Sequence, residues 1–409
     1  MNDQDVDNTQ LYIKKNMYVT RPLSMYRKCP SALEVAPQDA PYSGYLVITD
    51  EEAESEDSFC WNLFKYKKVK KFPFPQDKIF TIISHDSEYQ QISATKVWFL
   101  PVPDHPLSSN RYYVIRAKGR HKGKTYKCSR DGDIMNCCFS NMLSDKEPKP
   151  FNLKDLYQIF KIHSHQSDGF FSKSIAPDGI PPTFLRKKGW RIRISGSYKS
   201  CKLSEALGVD TPLREKLPNF NFPISRKRSP PIIVGKWYCP FIFVREQKRV
   251  KEQMNKSMFY SMTLEQKWEE IYTCNNDKSE KDVVVIVNTC VEREVVLVYG
   301  IEATRNRRID ANGFYYFKAC NPYNRKRVSV GLSLAIIENM KWVQEEGGWA
   351  YGHGREKMVR VREEVRSQNE WQRFGFYVLV ESFCLRTLDG KLLLRYDFRH
   401  THKVKCKWE

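Results

Sequence analysis

The pattern that dominates the chain is short apolar runs separated by tight polar turns. Near the C-terminus, FGFYVLVESFCLR leads through Leu388-Asp389-Gly390 into KLLLRYDF. Glycine tolerates positive φ, so an Asp-Gly pair between apolar runs predicts an antiparallel hairpin over residues 374–398. VVVIVNTC and EVVLVYGIE flank a polar break at residues 291–293 and predict a second hairpin. SGYLVITD, KVWFLPV and NRYYVIRA predict strands in the N-terminal half, divided by Pro, Ser and Asp clusters.

Helical spacing is rarer. After Asn152, Leu153, Leu156, Tyr157 and Phe160 recur at i, i+3, i+4 and i+7. Thr211-Pro212 has the form of a cap followed by a first-turn proline. Thr263 with Gln266 matches a capping box, and Leu264, Trp268, Ile271 and Tyr272 would line one helical face. SLAIIENMKWVQEE, closed by Gly347-Gly348, predicts a further helix. Strands in hairpins rather than alternating with helices predict an α+β fold, mainly antiparallel sheet with several peripheral helices.

Punctuation along the chain suggests a division. Residues 1–16 read as a disordered acidic N-terminus, 17–146 as a β-rich domain and 147–231 as a helical and loop connector. Residues 232–409 read as an α+β C-terminal domain ending in a β-meander, able to pack as one unit with the first. TDEEAESED at 49–57 reads as an acidic loop, and PNFNFPISRKRSPP at 218–231 as a Pro-rich basic linker.

Charge narrows the partners. Lys and Arg number 68 against 48 Asp and Glu, a net +20. Residues 1–60 hold eleven acids and five bases, so the excess over the rest of the chain is +26. Such a surface attracts phosphates, acidic proteins or anionic lipid. No run approaches the roughly 18 apolar residues of a membrane span. The polar, acidic start is unlike a secretory leader, so a soluble protein of the cytoplasm, the nucleus or both is expected. The 12 cysteines are scattered. Cys239 in KWYCPFIF and Cys384 in YVLVESFCL read as small buried hydrophobes with reduced thiols.

Candidate chemistry is sparse. His400, His402 and Cys406 would share one face of an extended strand, but at ~3.3 Å per residue the ends lie about 20 Å apart. That span exceeds what one zinc ion bridges. His163 and His165 carry the same weak signal. No metal, cofactor or catalytic residue is therefore expected. Gly347 to Gly354, with Arg355 and Lys357, has the composition of an anion cradle. It lacks the strand-before, helix-after context of a nucleotide site.

Three basic clusters remain as candidate contacts. Lys65, Lys67, Lys68, Lys70 and Lys71 lie beside Phe64, Tyr66 and Phe72. Lys118, Arg120, Lys122 and Lys124, with Gly119 and Gly123, predict a basic hairpin tip. Lys403, Lys405 and Lys407 alternate with Val404 and Cys406 as a cationic stripe. Basic residues interleaved with aromatics suit nucleic acid, and lysines also guard edge strands. Arg226-Lys227-Arg228 has the form of a short nuclear address.

The strings MYVTRPLSMY, SGYLVITDEEA, PFPQDK, PLSSNRYYVI, KSIAPDGIPPTFLRKKGW, VGKWYCPFIFVRE, SMFYSMTLEQKWEEI and YDFRHTHKVKCKWE carry a resemblance. From about Met17 onward the chain resembles a family of plant proteins known as domain of unknown function number 1262. The resemblance implies a plant origin and an association with stress or defence; it implies no fold, reaction, cofactor or catalytic residue. The leading expectation is a non-enzymatic binding protein for an acidic protein partner. The alternatives are a nucleic-acid-associated protein, contact with an anionic membrane surface, and a plant-specific enzyme without a recognisable motif.

Overall fold

The computed structural model describes residues 17–35, 43–58, 68–85, 92–103, 105–137, 140–143, 145–166, 168–194, 203–277, 282–305, 309–349, 358–367 and 369–409. In chain order, the strands of the first half are β1 (Met17–Pro22), β2 (Ser43–Ile48), β3 (Lys68–Val69), β4 (Phe80–His85) and β5 (Ile92–Pro101). They continue with β6 (Arg111–Arg116), β7 (Ile159–His165), β8 (Gly169–Ser174) and β9 (Arg191–Ile194). The second half adds β10 (Ile232–Pro240), β11 (Phe259–Asn275), β12 (Glu294–Val298), β13 (Arg373–Thr387) and β14 (Leu392–Trp408). Helices are short: α1 (Leu23–Lys28), α2 (Glu51–Ser58), α3 (Thr211–Lys216), α4 (Val250–Lys256) and α5 (Leu334–Glu346).

Two large sheets form the body. One has nine strands in the order β2-β1-β10-β11-β13-β14-β12, extended by Ile301–Glu302 at its edge and by Gly208–Val209 against β10. β1 and β2 run parallel, while β10, β11, β13, β14 and β12 pair antiparallel. The other sheet has seven strands in the order β8-β7-β6-β5-β4-β9-β3. Strand β13 is apolar almost throughout and buried on both faces, as expected of a central strand covered on both sides. The hairpin it forms with β14 turns through Gly390 at φ +87°, as the Asp-Gly signal predicted.

A shared core joins the sheets. Trp98 of β5 is fully buried, lies 6.0 Å from Phe241 in a stacked arrangement and meets Phe259 of β11 edge-on at 5.2 Å. Its indole N–H donates to the carbonyl of Gln76 at 2.7 Å. A second cluster around Phe74, Phe80, Phe99, Tyr112, Phe170 and Trp190 fills the seven-stranded sheet's own face.

The α+β expectation is overturned, since the protein is mostly β with large mixed sheets. Among the described residues the longest helix, α5, spans 13 residues, and the other helices are marginal. Two expected helices do not form. The segment carrying Thr263, Gln266, Leu264 and Trp268 is the centre of the 17-residue β11. A spacing of four fits a strand as well as a helix, because both return to the same face. Ile271 and Tyr272 broke the alternation because a register shift lies between Glu270 and Tyr272. The 153–160 segment makes only a 3-10 turn at Leu156–Gln158, capped by Asp155 rather than Asn152. Ile159 and Phe160 then pair with Tyr113 and Tyr112 of β6. Here pairing overrides helical propensity.

Other details moved. VVVIVNTC and EVVLVYGIE do not form a hairpin: Val284–Glu292 pairs with Met358–Arg366, and β12 pairs with β14. The acidic stretch 49–57 is largely helix α2, whose Ala53 N–H donates to Asp50 Oδ1 at 2.9 Å. The cap of α3 is Asp210, which accepts from Leu213 N at 3.0 Å, with Pro212 in the first turn. Helix α5 stands where predicted and ends at Gly347. Cys239 and Cys384 are buried as free thiols, and burial pushes the Cys384 thiol up to about 12. Among the described residues no helix is long and apolar enough to cross a membrane. Residues 1–16 and 350–357, and so the rest of the Gly-rich segment, lie outside the described residues.

Candidate functional site: a basic cleft

The seven-stranded sheet ends at β3, two residues held by β9 through the pairs Ile192↔Val69 and Arg193↔Lys68. Lysines flank this edge because Val69 alone packs toward the apolar cluster. Lys68, Lys70 and Lys71 are exposed. They line a cleft of about 680 Å³ together with Arg27 of α1. The apolar lining comes from Leu23, Tyr26, Pro30 and Leu33 on one wall and Phe72, Pro73, Pro75 and Ile194 on the other. A smaller cavity of about 100 Å³ shares Lys68, Val69 and Lys70 and adds Arg191 and Asp168.

Five bases thus face two acids, Glu56 and Asp168. Both acids are paired: Arg27 holds Glu56 at 2.6 Å, and Lys70 holds Asp168 at 2.6 Å. The Lys70 ammonium holds the Asp168 carboxyl below its usual range, chiefly through their hydrogen bond. Glu56 belongs to α2, which packs its acids onto neighbouring cations, with Glu52 on Lys28 at 2.7 Å and Glu54 on Lys78 at 3.4 Å. An acidic helix therefore sits at the mouth of a basic cleft. Among its described lining residues are no histidine and no cysteine.

The predicted lysines separate into different roles. Lys65 and Lys67 lie outside the described residues, while Lys68, Lys70 and Lys71 reach the cleft. Lys118, Arg120, Lys122 and Lys124 form a turn after β6, with Gly119 and Gly123 at φ +86° and +84°. The stripe on β14 packs on the protein itself. Lys405 Nζ stands 5.0 Å above Trp268 and 5.4 Å above Phe220, and Lys407 lies over Phe222 and bonds its carbonyl. Lys403 Nζ donates to the Gly347 carbonyl at 2.9 Å. Arg228 of the basic triplet is tied to Glu269 at 3.1 Å. Reading the sequence missed Arg27, Arg191 and Glu56, because only α1 packing and the β9–β3 pairing bring them to the cleft.

The histidines sit elsewhere. His400 is fully buried, its Nε2 3.1 Å from Gln344 Oε1 and 3.6 Å from Glu381 Oε2. The β13–β14 register jumps between Val378↔Val404 and Leu379↔His400, so His400 and Cys406 do not share one regular strand face. His163 stacks on Phe171 at 4.9 Å. Among the described residues no group of three or more His, Cys, Asp or Glu is placed to hold a metal.

A second charged array lies on β11 and β14. Glu269 is buried and meets Lys267 at 3.0 Å, Arg399 at 2.8 Å and Arg228 at 3.1 Å. Burial alone would raise its carboxyl, but the converging cations hold it at about 2. Lys267, in contrast, is pushed down, since burial, helped by the Arg395 charge, outweighs the Glu269 and Asp397 carboxylates. Glu269 therefore contributes stability that is complete above its unfolded pKa of 4.5 and is lost as pH falls toward about 2. Glu269→Gln should remove most of that slope and lower stability at neutral pH by a few kcal/mol. Urea melts at stepped pH values check this; an unchanged acid limb would contradict it.

No curated protein matches the chain. Among solved structures, the crystal structure of Cry35Ab1 superposes with a TM-score of 0.47 at 12% identity, covering 82% of this chain and 90% of that one. Residues 39–139, which include the Lys68–Lys71 run of the cleft, match the model of the family described as "Protein of unknown function (DUF1262)".

Proposed function

We propose that the protein is a non-enzymatic binding module that takes an acidic protein segment into the basic cleft. The observation that carries this reading is the pairing already present there, with Glu56 held by Arg27 at 2.6 Å beside three further lysines. An incoming carboxylate would find the same donors, and the prolines, Leu23, Tyr26 and Phe72 supply apolar contact for its neighbours. Charge at the rim speeds encounter, while buried apolar contact sets the lifetime. The plant origin and the cytoplasmic or nuclear setting belong to this reading and rest on the resemblance and on the exposed Arg226-Lys227-Arg228 triplet.

A fluorescein-labelled peptide alternating glutamate with leucine serves as the probe. Replacing Lys68, Lys70 and Lys71 together by alanine should weaken its binding by about tenfold or more. Glu56→Gln should tighten it by releasing Arg27. Unchanged affinity in the triple variant would overturn the assignment of the cleft.

A further inference from the structure

Two basic runs far apart in sequence meet on one surface. After β6, Gly123 N donates to Arg116 O at 2.8 Å, Arg116 N to Lys124 O at 2.9 Å, and Lys122 N to Gly119 O at 3.2 Å. These bonds and the two positive-φ glycines fix the turn, so its charges are held in place rather than on a loose tip. The turn lands on the start of α4. A Cβ on Gly123 would stand 2.8 Å from Val250 Cγ1 and 3.2 Å from the Val250 carbonyl, so the two backbones are in contact. Val250 is flanked by Lys248, Arg249 and Lys251, all exposed. The turn that carries Lys118, Arg120, Lys122 and Lys124 is thus packed beside three bases of another element, with Lys122 near enough to Lys251 for their charges to interact. Burial first, and the Lys251 charge second, push the Lys122 ammonium down.

Acids here are few or engaged. Glu147 lies 3.5 Å from His121, the buried Glu246 takes Lys248 at 3.2 Å, and Glu252 is exposed. No large exposed apolar side chain lies within 118–124 or 248–252. The face offers positive charge with one ring, the largely buried His121, and among the residues of these two segments no large exposed apolar group to enter a bilayer. We infer that the turn 118–124 and the start of α4 together bind the phosphate backbone of duplex nucleic acid, without reading its sequence. Phosphate contacts position a protein but carry no base code. This site shares no residue with the cleft and stands independently of it.

The test is fluorescence anisotropy of the full chain with two short duplexes of unrelated sequence, from about 50 to 200 mM salt. Both duplexes should bind alike, with a log–log salt slope of about −0.9 per phosphate contact. Changing Lys118, Arg120, Lys122 and Lys124 together to glutamine should flatten the slope by roughly 3. Arg249→Gln with Lys251→Gln should flatten it by roughly 1–2, while the cleft triple variant leaves it unchanged. Circular dichroism melts confirm that the variants fold. Failure of the Arg249 and Lys251 pair to change the slope, a strong preference between the duplexes, or binding to phosphatidylserine vesicles but not to duplex would overturn the inference.

Discussion

Glu381→Ala is expected to be among the most damaging single substitutions in the protein, costing about 3–5 kcal/mol. Glu381 is 1% exposed and accepts from Arg214 Nε at 2.9 Å, Arg214 Nη2 at 2.5 Å, Gln266 Nε2 at 2.6 Å and Gln344 Nε2 at 2.8 Å. These partners come from α3, β11 and α5, so one carboxylate fastens two helices onto the nine-stranded sheet. Burial would raise its carboxyl, yet the nearby His400 ring, 3.6 Å away, and the Arg214 guanidinium outweigh this and hold it far below the usual range. Removing it leaves a nearly buried guanidinium with only the Val343 carbonyl, 2.9 Å from Nη1, the Gln344 amide without this acceptor, and the Gln266 amide with the Arg214 carbonyl at 3.1 Å. The loss should therefore come mainly from the groups left orphaned. Replacing Arg214 and Glu381 together by apolar residues of similar size should recover the share owed to the stranded guanidinium, but not that of the Gln266 and Gln344 amides. Urea unfolding midpoints of the single and double variants decide this. A single variant within about 0.5 kcal/mol of wild type would show that the network does not hold the helices to the sheet.

Trp98→Ala should cost a comparable ~3–5 kcal/mol. Its ring fills the contact between the two sheets, against Phe241 and Phe259, and truncation leaves a cavity and an unpaired Gln76 carbonyl. Denaturant midpoints measured beside Tyr323→Ala, whose side chain is 96% exposed, give the scale. Tyr323→Ala should stay within about 0.5 kcal/mol. Similar small losses in both would mean that the sheets do not depend on this contact.

Local signals in the sequence were readable where one element supplies its own partner. The β13–β14 hairpin followed from Asp389-Gly390, and α5 from SLAIIENMKWVQEE before its glycines. Strand β11 was misread because Leu264 and Trp268, four apart, satisfy both periods, and a bulge breaks the alternation between Glu270 and Tyr272. The partner of Val284–Glu292 lies at Met358–Arg366, a choice that no local pattern encodes. Half of the cleft was legible as the Lys68–Lys71 run. Its other wall was not, because Arg27 and Arg191 depend on long-range packing. The β14 lysines looked like a free stripe, yet Phe220, Phe222 and Trp268 lie beneath Lys405 and Lys407. Alternation reports a face but not its cover.

Hydrogen exchange with and without the glutamate–leucine peptide tests the cleft most directly, because it locates contact without substituting any residue. The cleft reading predicts slowed exchange across residues 23–33 and 68–75, with 118–124 and 403–409 unaffected. Peptide bound at saturation with no slowing in 23–33 and 68–75, or slowing confined to either of the other segments, would contradict it.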